Sequence, residues 1–313
     1  MAAPVTAPPP HPRVPVEWGS TTVYGRRASY GAAGEPGGGP PIVFLHGWGL
    51  TAQAYVSALG SLAARSGRPV IAPTLPGFGS TAGLPARQVS FAGYGQWVAA
   101  FCREMGIDGR ASVVGHSFGG GVAVTLAHQE PDLAGNLVLV NAVGGGAWLT
   151  SSDGRTRTIA ERPLWDWGLH FPGDILPPPA GMRILPRVLG EAVPNVMRNP
   201  RAVWGVANLA RTADLSEELA GLKARGLPVA VIWSERDRIV TRANHDATCL
   251  RLGLPGRVVP GGHSWPIADP GLFGRTVTEV LAAHAPRRAA PVRRLVSRLG
   301  DGVRRSAGPP AAG

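Results

Sequence analysis

The chain is poor in lysine, cysteine, aromatic residues and charge. Lys223 is the only lysine among 313 residues, so almost all positive charge is arginine. A phosphate-binding loop of the Gly-x4-Gly-Lys kind therefore has no lysine to use. Cysteine is limited to Cys102 and Cys249, which lie far apart and in no CxxC or metal spacing. That excludes a disulfide scaffold and suits a reducing compartment. No HExxH or clustered His/Cys pattern occurs, so no metal is implied. No apolar run approaches the roughly 20 residues that cross a bilayer. The start, "MAAPVTAPPPHPRVP", is broken by prolines and lacks the apolar stretch of a signal peptide. A cytoplasmic location is the expectation.

Charged residues make up only 16% of the chain, yet the net charge is +11. Residues 285–313 hold seven arginines against Asp301, so +6 of that excess belongs to the final segment. The body offers no basic cluster interleaved with aromatics, which argues against a nucleic-acid partner. In "PVRRLVSRLGDGVRR", Val292, Leu295, Val296, Leu299 and Val303 fall at helical intervals with arginines elsewhere. Such a pattern can give a weak, peripheral contact with an anionic membrane surface. A solubilising tail interrupted by Gly300 and Gly302 is the commoner meaning of the same pattern.

Hydrophobic residues make up 44% of the sequence, enough for one sizeable core. "STTVYGRRASYG" alternates like a strand or hairpin. "IVFLHG" at 42–47 is a short apolar run ending in a turn, as expected of a strand buried on both faces. Helical and strand patterns then alternate: helix 52–65, strand 69–73, helix 91–106, strand 111–117, helix 118–129 and strand 136–142. They resume with strand 227–237, helix 242–252, strand 257–260 and helix 270–284. This order predicts an α/β fold, a mostly parallel twisted sheet flanked by helices. The expected organisation is a disordered segment 1–16, core residues 17–142, an inserted helical cap 143–213, core residues 214–284 and the basic tail 285–313. "GEPGGGP" lacks the strand-then-helix setting of a dinucleotide fingerprint, and no cofactor is expected.

The chemistry gathers at predicted strand ends. Gly115-His116-Ser117-Phe118-Gly119 places a serine between a strand and a helix, with glycine two residues to each side. A sharp turn there exposes the hydroxyl, and side chains at the glycine positions would collide. A serine needs a base, and the base needs an acceptor. His11 lies in the N-terminal segment; His128, His170, His245 and His284 lie in predicted helices or the cap. His116 adjoins the serine and should point elsewhere. His263, in "VVPGGHSWPIADP", follows the last predicted strand on the same sheet edge as Ser117 and is the expected base. For the acid, Asn141 and Glu235 compete with Asp237, which sits one turn past "VAVIW"; Asn141 could orient a histidine but not stabilise its cation.

The order serine, acid, histidine, joined to this elbow, resembles the α/β-hydrolase family of serine hydrolases from about Pro40 to His284. The resemblance includes "HGWG", His46 to Gly49, and the Asp-x-Ile-Val stretch that begins at Asp237. It implies an oxyanion hole built from the backbone N–H groups of Trp48 and Phe118, with His46 bracing the turn. "APTLPGFGST" resembles a further family loop, but Thr74 stands where an aspartate is usual. Serine at the elbow excludes the branches that attack through a carboxylate. The implied activity is carboxylic-ester hydrolysis of esterase or lipase type, through an acyl-enzyme, on a small-molecule ester. A C–C bond hydrolase, a cofactor-free perhydrolase and a ligand-binding receptor without turnover are the alternatives. Residues 143–220 hold eight arginines and eight acids, so no ionic substrate is favoured. Trp148, Trp165, Trp167, Trp204, Met182 and Met197 would either line an apolar pocket or pack the cap on the core.

Overall fold

The computed structural model describes residues 12–107, 109–150, 154–161 and 180–284, with backbone alone at 160, 180–185 and 187. Eight strands form one sheet: β1 (Val16–Val23), β2 (Arg26–Ala33), β3 (Ile42–Leu45), β4 (Val70–Pro73), β5 (Ala111–His116), β6 (Ala134–Val140), β9 (Val229–Ser234) and β10 (Arg257–Val259). Their order is β1-β2-β4-β3-β5-β6-β9-β10. The strands from β4 to β10 are parallel, while β1 and β2 form an antiparallel hairpin laid against β4. The hairpin turns on Tyr24 and Gly25, both with positive φ, a backbone that matches the twist of the flanking strands. This is the mostly parallel α/β sheet that the sequence implies.

Strand residues alternate between two cores, as the two-residue period of a strand requires. Val43, Leu45, Val113, Leu137, Leu139 and Val231 face one core. Ile42, Phe44, Val114, Val138, Val140 and Ile232 face the other. The first is covered by α2 (Phe91–Glu104), α3 (Phe118–Gln129) and α6 (Ser216–Ala224) through residues such as Trp97, Leu126 and Leu219. The second is covered by α1 (Val56–Ser66) and α9 (Pro270–Ala283) through Leu62 and Phe273. Because each face needs an apolar cover, the central strands read as continuous apolar runs.

Between β6 and β9 the chain leaves the sheet. It forms the hairpin β7 (Ala147–Thr150) and β8 (Thr156–Thr158), then α4 (Ala180–Arg198), α5 (Pro200–Arg211) and α6. Asn199 starts α5 by accepting a hydrogen bond from the Ala202 N–H at 3.2 Å, with Pro200 next in line. After β9 come α7 (Arg242–Leu252), β10 and the short α8 (Trp265–Ala268).

Several expectations change. The chain is already tied before residue 17: the Val14 N–H donates to the Gly60 carbonyl at 3.2 Å, and Val16 pairs with Ala33. The excursion contains a small sheet where helical pieces were expected, and α6 was not foreseen. Trp204 and Met197 are 65% and 77% exposed, so neither is buried in the core. Trp165, Trp167, the side chain of Met182, the N-terminal residues 1–11 and the tail 285–313 lie outside the described residues. Among the described residues, no helix is long and apolar enough to cross a membrane.

Candidate active site

The site begins with a backbone conformation. Ser117 has φ 55° and ψ −120°, a region that L-residues seldom occupy, and it immediately precedes α3. Its N–H donates to the Val140 carbonyl at 3.0 Å, which pins the turn to the neighbouring strand. The flanking glycines are there for space. A Cβ on Gly115 would fall 2.4 Å from the Gly119 carbonyl oxygen, and one on Gly119 would fall 2.3 Å from that of Leu45. Strand, turn and helix can close together only with hydrogen at those positions.

His263 follows β10 in a loop held from two sides. The Ser234 Oγ donates to the Gly262 carbonyl at 2.9 Å, and His116 Nε2 donates to the His263 carbonyl at 3.0 Å. His263 Nε2 lies 2.9 Å from Ser117 Oγ, and its Nδ1 lies 2.8 Å from Asp237 Oδ2. A carboxylate can only accept, so Nδ1 carries the proton and Nε2 is left to accept from the serine hydroxyl. The three residues that the sequence singles out therefore meet in one hydrogen-bonded line.

Asp237 sits in a turn after β9 with its side chain fully buried. Its Oδ1 accepts from the Ile239 and Val240 N–H groups at 2.8 and 2.9 Å. The amide of Asn141, another residue with positive φ, donates to Oδ2 and to Ser234 Oγ. Asn141 Oδ1 accepts from the Trp265 indole at 2.8 Å. Thus Asn141 stands behind the acid and holds it. Glu235 is exposed, with its N–H spent on the Val259 carbonyl at 3.0 Å.

The His46–Gly49 turn packs against the serine. A Cβ on Gly47 would lie 3.3 Å from Ser117 Cβ and 3.1 Å from His116 Nδ1. His46 Nδ1 donates to the Gly47 carbonyl at 2.9 Å, and Nε2 accepts from the Leu75 N–H at 2.8 Å. Burial pushes its pKa down to about 4, partly offset by the bond to Gly47. His46 is thus a neutral brace. Phe118 is the first residue of α3, where the helix leaves N–H groups without internal partners. The positive end of the helix therefore points at the elbow.

His116 points away from the serine. Its Nδ1 accepts from the Tyr55 hydroxyl at 2.8 Å, and Tyr55 accepts from the Gly47 N–H at 3.2 Å. A chain of bonds thus runs from the glycine turn through Tyr55 and His116 to the His263 carbonyl. Burial first, and the neighbouring His263 second, hold the His116 pKa well below the ordinary value. That matters because the two rings are 4.9 Å apart, and a charged His116 would oppose a cation on His263.

The remaining histidines stand apart. His128 is exposed on α3; His245 on α7 stacks on Trp233; and His284 ends α9 with Nδ1 donating to the Val280 carbonyl at 2.8 Å. His11 and His170 lie outside the described residues. A cavity of about 520 Å³ lies between β1, β2 and α4, lined by residues including Arg27, Thr51, Thr74 and Glu191. Among the described residues, its lining includes none of Ser117, His263, Asp237, Trp48 or Phe118. Among the described residues, no group of three or more His, Cys, Asp and Glu is placed to hold a metal.

Sequence reasoning missed Tyr55, Trp265 and Asn195, and it weighed Asn141 only as a substitute for the acid. Only Asn141, at a strand end, carried a local signal.

The parallel sheet, the elbow and the loops at its carboxyl edge together define an α/β hydrolase. Residues 42–276 match the alpha/beta hydrolase family, and the chain belongs to it. An uncharacterized protein of Mycobacterium tuberculosis is 28% identical over 271 residues, spanning 79% of this chain and 76% of that protein. A 2-hydroxymuconate semialdehyde hydrolase of Pseudomonas putida is 33% identical over 141 residues, 44% of this chain and 50% of that one. Among solved structures, a membrane phospholipase A described as a bacterial virulence factor superposes with a TM-score of 0.68 at 20% identity, covering 87% of each chain.

Proposed function

We propose that this α/β hydrolase cleaves carboxylic esters of neutral, apolar small molecules through an acyl-enzyme. The observation that carries the reading is the line Ser117 Oγ–His263 Nε2, 2.9 Å, and His263 Nδ1–Asp237 Oδ2, 2.8 Å. Ser117 Oγ attacks the ester carbonyl carbon while His263 Nε2 takes the hydroxyl proton. The carbonyl π electrons move to oxygen, and the backbone N–H groups of Trp48 and Phe118 hold that alkoxide. Comparable donors elsewhere are each worth roughly 3 kcal/mol of barrier. The alkoxide collapses, the bond to the alcohol oxygen breaks, and His263 returns its proton to the leaving alcohol. Water then repeats the sequence on the acyl-serine, with His263 as base, and releases the acid. Asp237 fixes the ring and stabilises its transient cation. Neutral His116 and His46 add no competing charge.

Residues 143–213 act as a cap in this reading, which is supported by contacts that α4 and α5 make with the His46–Gly49 turn. The Pseudomonas putida relative favours a second reading, C–C bond hydrolysis of a diketone-like substrate by the same residues. Purified protein should label with a fluorophosphonate at Ser117 and hydrolyse nitrophenyl esters, and Ser117→Ala should abolish both. Turnover of diketones with esters untouched would install the second reading. No reaction with either class would overturn the hydrolytic one.

A further inference from the structure

The three residues after His46 are each held by a different part of the molecule. The Gly47 N–H donates to Tyr55, from the segment just downstream, at 3.2 Å. The Trp48 indole donates to the Val203 carbonyl on α5 at 2.7 Å. The Gly49 carbonyl accepts from Asn195 Nδ2 on α4 at 3.0 Å. Two of these three anchors come from the excursion between β6 and β9, not from the sheet.

Asn195 is the more informative anchor. It is 2% exposed, and both ends of its amide are used. While Nδ2 donates to Gly49, Oδ1 accepts from the Gly79 N–H at 2.8 Å. One partner is a pure acceptor and the other a pure donor, so the amide has only one workable orientation. A buried polar side chain on a helix facing two loops is costly unless both bonds are made. Here both are made to the loops that follow β3 and β4, at the carboxyl edge where Ser117 stands. The Gly47–Trp48 peptide, which presents the Trp48 N–H, has its carbonyl held by His46 Nδ1 at 2.9 Å. The turn around it is fixed upstream by Tyr55 at the Gly47 N–H and downstream by Asn195 at the Gly49 carbonyl.

We propose that Asn195 is a positioning residue for the oxyanion turn, so that α4 sets how well the alkoxide is held. The proposal rests on the ester-hydrolase reading. A misplaced N–H matters little to a neutral ester carbonyl and much to an alkoxide, so loss of the clamp should lower kcat and leave KM nearly unchanged.

The test uses the full chain and three variants. Asn195→Leu removes both bonds. Asn195→Asp keeps the acceptor for Gly79 and sets a carboxylate oxygen against the Gly49 carbonyl. Asn195→Gln keeps both groups on a longer stem. Rates on a neutral nitrophenyl ester are divided by active sites titrated to completion with a fluorophosphonate. The Leu and Asp variants should each lose on the order of tenfold or more in kcat, less than outright removal of a donor costs. KM should stay within about twofold, as expected when only transition-state contacts are lost. The Gln variant should recover part of the loss. A boronic acid, whose adduct carries the tetrahedral anion, should bind the Leu and Asp variants more weakly by a similar factor.

A merely structural Asn195 would lower thermal stability and the titratable fraction but leave kcat per site at the wild-type value, and that result overturns the proposal. So does an Asp variant with wild-type kcat beside an impaired Leu variant, since that would credit the Gly79 bond alone. If the Leu variant does not fold, Asn195→Asp and Trp48→Phe decide. Trp48→Phe removes the indole anchor while keeping the backbone N–H, and it should also lower kcat at constant KM. Wild-type protein inert to ester and fluorophosphonate takes down the hydrolase reading and this one together. An active wild type with unimpaired Asp and Phe variants takes down this one alone.

Discussion

The carboxylate of Asp237 shows how tightly one residue is specified. It receives two backbone N–H groups, the Asn141 amide and the His263 ring, so it can neither rotate nor be replaced by a group that donates. In Asp237→Asn, an amide placed the same way brings N–H groups against N–H groups, and His263 loses the acceptor that sets its tautomer. Ester kcat should fall about 10⁴-fold, the size of the matching change in serine proteases. Glu235→Gln, altering an exposed side chain two residues away, should stay within about twofold; stopped assays on both variants separate the two acids. A second residue-scale prediction concerns acid. His46 is held at about 4, whereas an unfolded histidine titrates near 6.5. Between those values the unfolded chain binds a proton that the folded chain refuses, so stability falls as pH falls. His46 alone should remove roughly 2 kcal/mol between pH 7 and pH 5, and buried His116 acts in the same direction. Urea midpoints at the two pH values should show the loss. In His46→Asn, which keeps one donor and one acceptor, the slope should be shallower. A wild type equally stable at both values would contradict this account.

At the scale of the element, the strand–serine–helix unit was legible because each of its demands leaves a local mark. β5 is buried throughout around an apolar Val113–Val114 centre, the turn carries glycines where backbones cross, and α3 begins at Phe118 and ends at Gln129 as its pattern implies. The same holds for α7, which runs from Arg242 to Leu252 as expected. Elements with weak marks were missed. α6 buries little beyond Leu219 and Leu222, so its apolar stripe is too short to stand out. β7 and β8 pair only with each other, and β8 is exposed throughout, so no alternation toward a core announces them. Contacts such as Asn195 with Gly49, 146 residues apart, follow from helix placement and carry no periodic signature. The elbow yields a direct prediction. Gly119→Ala places a methyl 2.3 Å from the Leu45 carbonyl oxygen, a backbone atom that can move only with β3. The expected cost is at least about 3 kcal/mol, the upper part of the overpacking range. Chemical denaturation measures it. Gly109→Ala, where nothing lies within 4 Å of the added carbon, is the control and should be nearly silent.

For the whole molecule, the question is whether a net charge of +11 guides substrate. The total misleads, because +6 of it belongs to residues 285–313, and residues 143–220 hold eight arginines against eight acids. The ion pairs Arg103–Glu130, Arg242–Asp246 and Arg257–Glu279 are solvent-exposed, so each contributes little and is screened by salt. A strongly focused field would raise the association of anionic esters at low salt and lose that advantage as the Debye length shrinks from about 20 Å to about 7 Å between 20 and 200 mM. A locally balanced surface would not. The kcat/KM ratio of an anionic ester to a neutral ester of equal length should therefore change by less than about twofold over that range. A ratio that collapses with salt would mean that the arginines act on the site. Repeating the measurement on a chain ending at His284 would then decide whether the final segment or the body supplies the field.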